Sequence, residues 1–163
     1  MTENSPASPQ QPVPPPMQIG VQTQYIKDLS FESPNAPHIF APTQAAPELK
    51  MDFNITTRRM NDNTMHEVAL LLRLEVKIGD KVALIAELTY AGLFMLPSMP
   101  EEQLKFLLLV ECPRLLFPFA RAILANAIRD GGFPQFLIHP IDFGAIYEAN
   151  KGNLGQSAVA GTA

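Results

Sequence analysis

The chain has 163 residues, 47% of them hydrophobic, and a formal net charge of −4. That length suits one hydrophobic core and is short for two. An acidic balance with no basic cluster longer than Arg58-Arg59 disfavours a nucleic-acid partner. No stretch approaches the roughly 18 apolar residues that a membrane span needs, so stable membrane insertion is not expected. The single cysteine, Cys112, cannot form an internal disulfide and fits a reducing cytoplasm. No basic residue precedes Lys27 and no apolar segment lies near the start, so the beginning does not read as a secretory signal.

Residues 1–20 hold six prolines within the first sixteen positions and are predicted to be disordered or polyproline-like. Four segments then alternate with period two. In Val21–Glu32, Asp28, Ser30 and Glu32 point one way while Leu29 and Phe31 point the other. Ser33-Pro34-Asn35-Ala36-Pro37 stops this strand, because proline cannot donate to a ladder. Glu48–Thr57 turns Leu49, Met51, Phe53 and Ile55 inward, and Met65–Ile78 does the same with alternate residues from Val68 to Ile78. Gly79-Asp80 makes a tight turn into Lys81–Phe94, where Ile85 and Glu87 share the outward side. One wet and one dry face is the mark of an antiparallel sheet.

Helical signals follow the strands. Ser98-Met99-Pro100-Glu101 reads as a capping box, opening a helix that Cys112-Pro113 should break near Glu111. A second helix is predicted to Arg129, ended by Gly131-Gly132, and a third from an Asp142 cap to about Asn150. Residues 151–163 are small and mostly uncharged and are expected to form a flexible tail. Strands first and helices later predict an α+β fold: a four-stranded antiparallel sheet with helices packed on one face.

Catalysis finds little support. None of His38, His66 and His139 has a neighbour at metal-ligand spacing, and one cysteine cannot complete a structural zinc site. No phosphate-binding loop, dinucleotide fingerprint or nucleophile elbow occurs. The reading is therefore no catalytic residue, no metal and no cofactor. What stands out is an acidic strand face and a surplus of aromatic and methionine residues near element ends, a composition suited to adaptable apolar binding. A scaffold that docks one folded partner on the acidic face, without holding unfolded chains, is the alternative reading of the same features.

The run YIKDLSFESPNAPHIF closely resembles the signature of SecB, the bacterial protein-export chaperone family. The resemblance continues in order through PELKMDFN, ALIAELTYAGLF, CPRLLFPFAR and GGFPQFLIHPIDFGAIY, over roughly Val21 to Asn150. It implies a chaperone domain over residues 21–150 that assembles as a homotetramer, a dimer of dimers, in the bacterial cytoplasm. It further implies an ATP-independent holdase that binds unfolded precursor proteins and delivers them to the export ATPase SecA. Asp28, Glu32, Ile85 and Glu87 match the positions that dock SecA. A groove between the crossover loop and the last helix would take precursors, with Phe40, Leu93, Phe94, Phe143 and Tyr147 as its expected lining.

Overall fold

The computed structural model describes residues 19–60, 64–151 and 158–162. Its elements run β1 (Gly20–Glu32), β2 (Pro47–Arg59), β3 (Met65–Ile78), β4 (Lys81–Met95), α1 (Glu101–Phe106), α2 (Cys112–Asp130), α3 (Phe143–Asn150) and β5 (Ala158–Thr162). The predicted proline-rich segment lies almost wholly outside the described residues.

All strands are antiparallel, in the order β1-β4-β3-β2-β5. The four predicted strands are present, and β2, β3 and β4 pair through successive turns. Gly79 takes φ +58° at the first central position of the β3–β4 turn, where hairpins that follow strand twist demand positive φ. Because β1 lies on the far side of β4, the chain must cross three strand spacings to reach β2, roughly 14 Å. The crossover is pinned at its start. Ser33 Oγ donates to the Ala83 carbonyl and Asn35 Nδ2 to that of Val82, each at 2.9 Å. Ile39, in a 3-10 turn over His38–Phe40, plugs into the core.

Three expectations are corrected. Cys112-Pro113 does not break the helix: a π-helical turn, Leu107–Glu111, carries the chain from α1 straight into α2. Pro113 follows this wider turn, whose extra residue lets the chain pass a proline that lacks an N–H without ending the helix. The Ser98 capping box does not form; Pro100 is the α1 N-cap and no side chain bonds there. Third, the segment expected to be a flexible tail contributes β5, which pairs along the outer edge of β2 from Asp52↔Thr162 to Thr56↔Ala158. An open strand edge offers unpaired backbone groups, and an extended tail can satisfy them without any apolar pattern of its own. The Asp142 cap is as predicted, accepting from the Ala145 amide at 3.0 Å.

The core lies between one sheet face and the helices. Leu70, Leu72, Leu74 and Val76 of β3 and Leu84, Ala86 and Leu88 of β4 are fully buried there, against Leu116, Ala120, Leu124 and Ile128 of α2. Those α2 positions recur every four residues, a stripe that lets a helix lie on a sheet. Among the described residues no helix is long and apolar enough to cross a membrane.

Candidate functional site

The helices of the described residues pack on one sheet face, and strand register decides which residues reach the other. Residues 21–32 do not alternate evenly. Irregularities between Val21 and Thr23 and between Ile26 and Asp28 each insert one extra residue into β1. The second is decisive. Tyr25 pairs with Ala91 and Ile26 with Tyr90, so unbroken alternation would set Asp28 against Leu88, on the buried face. The bulge instead sets Asp28 against Thr89, Ser30 against Glu87 and Glu32 against Ile85. A bulged residue thus turns the acidic triplet of β1 to the open side.

Asp28, Glu32, Ile85 and Glu87 therefore share one surface. Along β4 the rows Glu32-Ile85-Glu75, Ser30-Glu87-Arg73 and Asp28-Thr89-Leu71 follow one another. Each row is about 7 Å from the next, and strands lie about 5 Å apart. The patch spans about 13 Å from Asp28 to Glu32, with Ile85 as an apolar residue between Glu32 and Glu75. Asp28 and Glu32 are exposed, and among the described residues no ion pair reaches either. Glu87 differs, because its Oε2 accepts from Arg73 Nη1 at 2.8 Å. Arg73 also stands 3.9 Å from Glu75, and its pKa is raised, chiefly by the hydrogen bond to Glu87. Nothing in the sequence pattern separated Glu87 from the two free carboxylates; cross-strand register does.

Further along the same face the charges close on themselves. Glu67 of β3 is nearly buried, accepts from Tyr25 Oη and from Lys27 Nζ at 3.0 Å, and lies 3.5 Å from Arg58 Nε. The Tyr25 hydrogen bond is the largest cause of its lowered pKa. Tyr25 and Lys27 reach across β4 from the edge strand, so this cluster ties the bulged half of β1 to the sheet.

The expected groove lining does not converge. Phe94 and Phe143 are core residues; Phe143 meets Phe53 and Phe117 edge-on. Leu93 is on the open sheet face, opposite Glu67 and Thr23, because residue parity on β4 turns it away from Phe94. It lies eight residues from Ile85, about 26 Å. Tyr147 is almost buried, its ring edge-on to Phe106 beside a cleft of about 240 Å³ between α1 and α3. Only Phe40 is broadly accessible, 49% exposed, and it packs on Phe133 at 4.9 Å. Phe31 completes that cluster at 6.3 Å from Phe133, and Leu137, four residues beyond Phe133, is exposed. A second apolar strip lies at the free edge: Val21, Ile26 and Leu29 of β1 with Leu115 and Phe119 of α2.

His66 is buried, and burial pushes its imidazole below the ordinary value. Burial likewise drives the Cys112 thiol up to about 12, which makes it unreactive. Among the described residues no three His, Cys, Asp or Glu side chains group to hold a metal.

The family model for preprotein translocase subunit SecB matches residues 10–153. The protein-export protein SecB of a Bradyrhizobium species is 45% identical over 150 residues, covering 92% of this chain and 91% of that one. That of Rhizorhabdus wittichii is 50% identical over 131 residues, covering 80% and 77%. Among solved structures, a Mycobacterium tuberculosis SecB-like chaperone in complex with an antitoxin peptide superposes with a TM-score of 0.63 at 12% identity. It covers 76% of this chain and 90% of its own, and at that identity it speaks for the fold alone. The chain belongs to the SecB family of protein-export chaperones, whose members are not enzymes.

Proposed function

We propose that this protein is an ATP-independent holdase. It binds unfolded precursor proteins, keeps them competent for translocation and hands them to SecA. The observation that carries the docking half is the shared open face of Asp28, Glu32, Ile85 and Glu87. Two free carboxylates steer a basic partner, and Ile85 adds apolar contact area between them and the rest of the sheet. Precursor binding would use the apolar surfaces left uncovered on the helix side. These are the Phe40-Phe133 cluster with Leu137, and the Phe106-Tyr147 cleft. Aromatic rings accept many sequences because their contact area is large and undirected.

The same reading includes self-association as a homotetramer in the cytoplasm. The strip of Val21, Ile26, Leu29, Leu115 and Phe119 beside the unpaired edge of β1 supports it, since a second copy adding to that edge would cover the strip. The test of holding is light scattering from a denatured precursor diluted into buffer with and without the protein. Suppression of scattering at stoichiometric amounts, without ATP, is the expected result. Unaltered aggregation would count against a holdase and leave a docking adaptor.

A further inference from the structure

We propose that Arg73 is a specificity-determining residue of the docking face, competing with an incoming partner for Glu87. The proposal rests on the reading that this face docks SecA.

Arg73 projects from β3 in register with Glu87 on β4 and Asp52 on β2, the middle of the open face. It is 41% exposed, and its Nη1 donates to Glu87 Oε2 at 2.8 Å. That is a charge-assisted hydrogen bond of normal length, and it orients the carboxylate. One oxygen of Glu87 is thereby committed and its charge is locally balanced. A lysine or arginine arriving at the remaining oxygen would lie a few ångströms from the guanidinium and be repelled by it. A neutral donor, such as a backbone amide or a side-chain amide, meets no such repulsion. Among the described residues no counter-charge pairs with Asp28 or Glu32, so both are open to an incoming cation. The face is therefore graded. It fits a partner segment with basic side chains opposite β1 and a neutral hydrogen-bond donor opposite Glu87, beside an apolar residue over Ile85. Arg73 would also keep docking reversible, because it removes the third attractive charge that a uniformly acidic patch would offer.

The test is calorimetric titration of the full-length protein with SecA at low and moderate salt, for wild type, R73Q, R73K, E87Q and the R73Q/E87Q pair. R73Q should bind about three- to tenfold tighter at low salt, with a steeper salt dependence, because one more unscreened carboxylate is presented. R73K keeps the charge and should stay near wild type. In the E87Q background the gain from R73Q should vanish, since Arg73 acts through Glu87. If R73Q fails to fold, Arg73→Met carries the same expectation. Unchanged or weaker SecA binding by R73Q, or a gain that survives in E87Q, would overturn the proposal. A D28A/E32A variant separates the two levels. If it loses SecA affinity while R73Q gains none, only the role of Arg73 falls. If it binds like wild type, the docking reading falls and this proposal with it.

Discussion

Replacing Glu67 by alanine tests whether the bulged half of β1 is held by one nearly buried carboxylate. The side chain is 8% exposed and takes hydrogen bonds from Tyr25 and Lys27, with Arg58 close by. Removing one partner of a fully buried pair costs about 3–5 kcal/mol, whereas an exposed pair is worth about 0–1. This cluster falls between. Lys27 and Arg58 are 46% and 67% exposed and can return to water, but the Tyr25 hydroxyl loses a charged acceptor. We expect E67A to cost about 2 kcal/mol and E67Q about 1, since glutamine still accepts from Tyr25. For a chain of this size that lowers Tm by about 4–8 °C for E67A. The folded pKa of Glu67 lies below the ordinary 4.5. The stabilisation is therefore complete above about pH 4.5 and is lost as pH falls through the lowered folded value. Melting curves at fixed protein concentration, at neutral and at strongly acidic pH, read both effects. A deficit that is as large in strong acid as at pH 7, or no deficit at pH 7, would refute the reasoning.

His66 gives a second pH signal in a separate window. Its folded pKa lies below 6.5, so stability is full above that value and declines as pH falls towards the folded one. Wild type should lose more Tm than H66Q between pH 7.5 and 5.5, and parallel slopes would remove His66 as the cause. Gly92→Ala should cost about 1–3 kcal/mol by overpacking, because a Cβ there would lie 2.8 Å from the Phe94 ring and 3.1 Å from Leu116, both fully buried. Gly131→Ala meets the Phe31 ring at 2.2 Å, but Phe31 is only partly buried, so F31L should rescue it. Denaturant melts of G131A and G131A/F31L decide, and an unrescued double variant would show that the clash is not with that ring.

Much of the sheet was legible because its inner positions alternate without interruption: β3 from Val68 to Val76 reads directly as a buried face. β1 was readable only in its second half. The triplet Asp28, Ser30, Glu32 shares a face as alternation requires, but the bulge at Lys27 that selects the open face has no glycine or proline to announce it. The π-helical turn before Pro113 was hidden for a similar reason. A proline reads as a break, yet one inserted residue in the preceding turn lets the helix continue. Phe94, Phe143 and Tyr147 lie near element ends, where sequence alone does not distinguish a core plug from an exposed ring, and the structure buries all three. Arg73 and Glu67 were visible only as alternate polar residues of β3; pairing across three strands gave them their partners.

The most direct test of the account is the calorimetric affinity of D28A/E32A for SecA. The double change removes two exposed carboxylates that no ion pair reaches among the described residues. It should weaken SecA binding and flatten its salt dependence, while suppression of precursor aggregation stays as in wild type. Undiminished SecA affinity together with lost holding would contradict the assignment of docking to the open face and of precursor binding to the helix side.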